Sequence, residues 1–243
     1  MVLWSFKEAV FQVSTSTKIY LGLVAFLVAV KLLFLLRPTA FPLSDQGGAF
    51  YWTTIAFIAV IGFLGLVLSR RTGFPDIWDP AVTNRDRFLI PTAIGLIYGV
   101  ITVINDLPNP APIHLQPPLS LAFYSYGATF LEIMLRLFSI PFLMWIGGLV
   151  LRGRWQTGVF WVAVVIAALY EPLPYLSQDI HTAPNLAAPS IIFKTVTGPL
   201  FLANVVSGWL FRRSGFLAPL TMRLSFYLIW HILYGGFLSA ALR

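Results

Sequence analysis

The chain has 243 residues, 58% hydrophobic and only 10% charged, with a mean hydropathy of +0.82. Soluble domains carry roughly 25% charged residues, so a globular aqueous enzyme is excluded and a single polytopic membrane domain, residues 1–243, is expected. There is no cysteine, which excludes disulfides, thiolate metal sites and a cysteine nucleophile; the net charge of +7 lies in short loops, where topology and anionic lipid explain it better than nucleic acid.

In residues 1–14, Leu3, Phe6, Val10 and Val13 fall on one side at helical spacing, with Lys7, Glu8 and Gln12 elsewhere. That pattern predicts an interfacial amphipathic helix, or else a frayed start to the first span. The first span covers residues 19–36, with Lys31 placed to snorkel. A loop with Pro38, Pro42 and the Gly47-Gly48 pair leads to the second span, residues 50–68. The polar loop from Arg70 to Arg87 reads as a solvated, self-paired connection. The third span, residues 88–104, contains Gly95-x-x-x-Gly99, a motif that lets another helix approach closely.

Residues 105–118 hold five prolines and His114 and form an extended or turning connection. The fourth span, residues 120–150, is 31 residues long and would reach ~45 Å as a straight helix, against a ~30 Å hydrocarbon core. It must tilt, kink at Pro141 or start outside the bilayer. The fifth span runs over residues 156–176, with Glu171-Pro172 in its last third. A loop with Asp179 and His181 follows, then the sixth span, residues 191–211, and the seventh, residues 217–238. The expected fold is therefore all-α: a membrane bundle of about seven spans plus the N-terminal amphipathic helix. Seven spans put Lys7, Lys18, Arg70, Arg71, Arg85, Arg87, Arg152, Arg154, Arg212 and Arg213 on one side. Only Arg37, Lys194 and Arg243 fall on the other. The positive-inside bias then makes the N-terminus cytoplasmic.

Apart from Lys31, four charges fall inside the spans: Glu132, Arg136, Glu171 and Arg223. Each alone costs at least ~2.5–3.5 kcal/mol in hydrocarbon, so such residues are functional-site candidates. They sum to zero, as a paired set should, and Glu132 and Arg136 share one helix face. The plain alternative is a structural ion pair that pins neighbouring helices. By rise alone, Arg136 and Glu171 lie about 24 Å above the basic loops and Arg223 only about 15 Å.

Residues 70–235 resemble the CPBP family, intramembrane proteases related to CAAX-prenyl endopeptidases and bacteriocin-processing proteins. The family pattern Glu-Glu-x-x-x-Arg looks like Leu131-Glu132-Ile133-Met134-Leu135-Arg136. Its Phe-x-x-x-His falls on Ala167 to Glu171, and its His-x-x-x-Asn on Arg223 to Tyr227. The run from Gly208 to Met222 and the loop GFPDIWDPAVTNRDRFLIP are also similar to those of bacterial members. The resemblance implies a CPBP-like core in residues 119–243, following spans over residues 15–118, in a bacterial plasma membrane. It also implies that the water-activating and oxyanion positions are replaced here by Leu131, Glu171, Arg223 and Tyr227.

Peptide hydrolysis needs a base within reach of water and donors aimed at the developing negative charge. An arginine close to Glu171 weakens it as a base, so the expected role is non-proteolytic. The chain would be a scaffold, chaperone or accessory subunit binding another membrane protein or transmembrane peptide, with membrane lipids as its other partners. The alternative is an active endopeptidase using Glu132 and Glu171 to activate water. No cofactor or metal is expected: His114, His181, His231 and Asp179 lack i, i+4 histidine spacing. Ser207-Gly208 and His231 are similar to a rhomboid-type serine–histidine pair. Val205 stands where that motif wants glycine, and no third group orients the histidine. A transporter would use Glu171-Pro172 in an ion pathway, but the halves show no internal repeat.

Overall fold

The computed structural model describes residues 14–36, 51–107, 115–172 and 198–238. Among these there are seven helices and no strand. They are α1 (Thr15–Leu36), α2 (Trp52–Arg71), α3 (Arg85–Asp106), α4 (Leu119–Val150), α5 (Gln156–Leu169), α6 (Pro199–Ser214) and α7, which joins Leu217–Tyr227 to Leu228–Leu238. Four of them, α1 to α4, are long and apolar enough to cross a membrane, and α5 is a shorter apolar helix. Residues 1–13 of the expected interfacial helix lie outside the described residues. So do Pro38, Pro42, Gly47, Gly48, His114, Asp179, His181, residues 191–197 of the sixth span, and the bases Arg37, Lys194 and Arg243.

Two elements differ from the expectation for a physical reason. The fifth helix ends at Leu169, ahead of Glu171, because Pro172 disfavours helical backbone at the residue before it; Glu171 therefore lies in a turn just past the helix end, and residues 173–176 of the expected span lie outside the described residues. Helix α4 contains a π-helical segment, Ile133–Ser139, immediately ahead of Pro141. The wider turn makes room for a residue that has no N–H and crowds the preceding carbonyls. The Ser139 hydroxyl donates to the Met134 carbonyl at 2.8 Å and satisfies one group there. Pro91 of α3 follows a similar π turn at Arg85–Leu89.

Helix α3 lies along α7, α2 along the π segment of α4, and α5 between the end of α4 and α6. Close packing and interhelical hydrogen bonds hold these contacts, the means by which helices associate in apolar surroundings. Small residues make the approach possible. A Cβ on Gly95 would collide with the Met222 carbonyl oxygen and one on Gly65 with the Leu137 carbonyl, while Gly99 faces Ile229. The Gly95-x-x-x-Gly99 motif is thus the seam between α3 and α7. The Tyr20 hydroxyl adds a bond from α1 to the Ala59 carbonyl of α2 at 2.5 Å.

The polar loop from Arg70 to Arg87 is self-paired, as its acids and bases predict, but it is not merely solvated. It buries Phe74 and Ile77 in the core, and Phe74 stacks on Phe211 at 4.8 Å. Arg70 pairs with Asp76 at 2.8 Å and Arg213 of α6 with Asp86 at 3.1 Å, while the Trp78 N–H donates to the Ser16 hydroxyl of α1 at 2.9 Å. Arg87 is buried with its guanidinium 4.0 Å from the Trp78 ring. Arg212 lies over Phe160, in the second turn of α5, at 4.4 Å. These contacts gather the start of α1, the end of α2, the start of α5 and the end of α6 at one basic end of the bundle.

If the α3–α7 seam is set by backbone approach, Gly95→Ala should cost about 1–3 kcal/mol by overpacking. Gly22, whose Cβ would meet nothing within 4 Å, should tolerate alanine or gain from it. Thermal unfolding in detergent compares the two; equal shifts would remove the seam from the account.

Candidate functional site

The four charges that the sequence places inside spans meet. Arg223 of α7 sits between the two carboxylates: its Nε donates to Glu132 Oε1 of α4 at 2.5 Å, and its two terminal nitrogens hold Glu171 in a fork at 2.8 and 2.7 Å. Bidentate pairing of this kind is the strong form of a charge-assisted hydrogen bond. Arg136, one turn beyond Glu132 on the same helix, places Nε 3.5 Å from Glu132 Oε2. Glu132 and Arg136 are completely buried, and the side chains of Arg223 and Glu171 are 7% and 12% exposed.

Asn204 of α6 ties the two arginines together. Its side-chain oxygen accepts from Arg223 at 2.9 Å and from Arg136 in a short bond, and its backbone carbonyl accepts a second bond from Arg136 at 3.2 Å. The Ser207 hydroxyl, one turn along α6, points at both Glu132 oxygens from 3.4 and 3.5 Å. The Tyr227 oxygen accepts from Arg223 at 3.3 Å. Nη1 of Arg136 has no hydrogen-bond partner among the described residues. Beside this network, a cavity of about 20 Å³ is lined by Tyr98, Glu132, Asn204, Ser207, Arg223 and Phe226, among others. Holding one water takes about 10–15 Å³.

All four candidates therefore share one site, and straight-helix arithmetic misjudged Arg223. The roughly 9 Å deficit in its height vanishes because a long, straight-chain guanidinium spans much of it and the helices need not run parallel to a common axis. The sequence reading missed Asn204 and underrated Ser207. Their signal was available: both are polar residues on an otherwise apolar stretch of α6, three apart and so on one face. Ser207 faces a carboxylate, and His231 has a separate setting, stacked on Tyr124 with ring centroids 3.9 Å apart. Among the described residues no three His, Asp or Glu side chains converge as a metal site.

Comparison with known families, curated proteins and solved structures finds no match to this chain. Each Glu171 oxygen is held by a guanidinium nitrogen, one Glu132 oxygen is bonded to Arg223, and the other faces Arg136. General-base catalysis needs a carboxylate within reach of a water and of the bond to be broken. Here the carboxylates are committed to cations, and only Glu132 lines the small cavity.

Removing one partner of a buried pair leaves an uncompensated charge, at about 3–5 kcal/mol. Arg223→Gln should therefore destabilise by that order, with Glu171→Gln and Glu132→Gln each costing less. The double change Arg223→Gln/Glu171→Gln should recover much of the loss, since it removes one acid with one base and leaves Glu132 facing Arg136. A double-mutant cycle on Arg223 and Glu171 in a chemical or thermal unfolding assay should give a coupling above about 1 kcal/mol. Additive effects would mean that the fork contributes nothing.

Proposed function

We propose that the protein is a non-proteolytic relative of the CPBP intramembrane proteases. In this reading it has seven spans and a cytoplasmic N-terminus in a bacterial plasma membrane. It serves as a scaffold, chaperone or accessory subunit that binds another transmembrane segment. The observation that carries the reading is the position of Arg223, bonded at once to Glu132 and Glu171. Where the resemblance leads one to look for groups that activate water and hold an oxyanion, the chain has a neutral, cross-linked ion network. Such a network fixes the mutual register of α4, α6, α7 and the turn after α5. It supports a surface held in one shape better than a site that must pass protons.

The orientation rests on the basic end of the bundle, where Arg70, Arg71, Arg152, Arg154, Arg212 and Arg213 all lie by sequence position and local contacts. One observation favours the second reading, an endopeptidase with altered groups: the one-water cavity reaches Glu132 and Ser207. In that reading Glu132, with Glu171 behind Arg223, activates the water.

The two readings separate in proteoliposomes supplied with a panel of membrane-spanning peptides. Mass spectrometry should find no new peptide termini above the empty-vesicle control for the wild type, Glu132→Gln or Glu171→Gln. Cleavage by the wild type that falls 100-fold or more in Glu132→Gln would replace the scaffold with the enzyme. For the binding role, a photo-crosslinking residue at Leu200, on the cavity rim, should capture a helix of a second membrane protein. Adducts to lipid alone would remove that role.

A further inference from the structure

The end of α4 and the whole of α5 form an antiparallel pair joined by the turn Leu151–Trp155. On the outer side of this pair runs an apolar groove of about 660 Å³, whose walls include Leu143, Ile146, Val162 and Ile166. Its floor opens at Gly158, where a Cβ would meet nothing within 4 Å. The groove ends at Leu151 and Trp155 of the turn, the latter 81% exposed, and the same turn carries the exposed Arg152 and Arg154.

The turn is built in an uncommon way. The Gly153 N–H donates to the Gly148 carbonyl at 2.8 Å and the Arg152 N–H to the Leu149 carbonyl at 3.4 Å. This is the paired-bond helix stop in which the residue after the cap takes left-handed backbone, a position usually given to glycine. Here Arg152 occupies it at φ 51°, glycine follows at Gly153, and Trp155 is left-handed again at φ 59°. Neither side chain eases that backbone, and both are exposed on a turn that also carries the exposed Arg154: two guanidiniums and an indole on the segment that closes the apolar channel. Guanidinium forks match phosphate oxygens, and tryptophan settles at the level of lipid headgroups.

We infer that this groove is a lipid site, holding an acyl chain of an anionic phospholipid between α4 and α5 with its phosphate held by Arg152 and Arg154. The charge at the mouth selects the occupant: a bare apolar helix offers nothing to two arginines, and a zwitterionic lipid carries no net charge toward them. The site is separate from the Glu132–Arg223 network, and it rests on membrane insertion, not on the scaffold reading.

The test uses the full chain in nanodiscs containing phosphatidylglycerol with a photoactivatable group on its acyl chain, diluted into phosphatidylcholine. Adducts mapped by mass spectrometry should concentrate on peptides covering Gly158 to Ile166. The double variant Arg152→Gln/Arg154→Gln should raise the half-saturating fraction of phosphatidylglycerol about 30-fold, from about fivefold per juxtamembrane arginine. Gly158→Phe, which fills the floor, should abolish the adducts while both arginines remain. The same probe on phosphatidylcholine should label the groove weakly and respond little to the arginine change. Equal labelling by both lipids, or no response to the double variant, overturns the proposal. So does a groove cysteine that crosslinks to another helix or to the chain's own remaining segments in place of lipid.

Discussion

Arg223 is the point on which the interior of this bundle turns. One guanidinium satisfies a carboxylate from α4 and a carboxylate from the turn after α5, and shares an amide oxygen from α6 with a second guanidinium. The set is buried, with room for only about one water beside it to replace any of these partners, so it is close to all-or-none. That makes it a weak source of net stability and a strong source of specificity. Apolar side chains of similar volume would fill the same space at little or no cost, but they would accept many helix registers. Charges that must meet at 2.5–2.8 Å accept very few.

Bringing the charges to that distance falls to the backbone. Gly95 and Gly99 let α3 close on α7, and Gly65 lets α2 lie against the Leu137 carbonyl in the π segment of α4. The π segment contains Arg136 and follows directly on Glu132, so the departure from α-geometry sits where the charges are and not at Pro141 itself. Insertions of this type widen a helix at one point and change the direction of the side chains that follow. The basic end then fixes the frame from outside: a loop that buries Phe74 and Ile77 while pairing Arg70 and Arg213 with its own aspartates holds α1, α2 and α6 together.

Much of this was legible because charge is so scarce in the chain. Glu132, Arg136, Glu171 and Arg223 stand out against an apolar background, and their zero sum predicts that they meet. The glycine pair at 95 and 99 likewise announces a close helix contact. What could not be read was geometry that depends on tilt and reach. Counting 1.5 Å per residue separates Arg223 from Arg136 in height, because the count knows nothing of inclined helices or of a side chain several bonds long. Neutral polar residues carry a fainter signal, since Asn204 and Ser207 cost little to place in a span and the sequence does not say what they face. The polar loop misled for the opposite reason: its charges concealed two residues that belong to the core.

The charge balance of the site underlies the proposed role of holding and not cutting. A hydrolytic centre has to change its charge during turnover, taking a proton from water and stabilising an oxyanion that was not there before. The network here is balanced at rest: two acids, two bases, with the amide oxygen of Asn204 shared between the bases. Freeing Glu132 to act as a base would loosen its hold on Arg223 and Arg136, leaving cations short of a partner in a low-dielectric interior where charge interactions are strongest. A cavity with room for about one water beside Glu132 supplies the reactant without supplying a way to relieve that imbalance. An arrangement whose energy rises when any one member is drawn away is suited to keeping four segments of chain in fixed relation, the property that the proposed docking of another membrane helix requires.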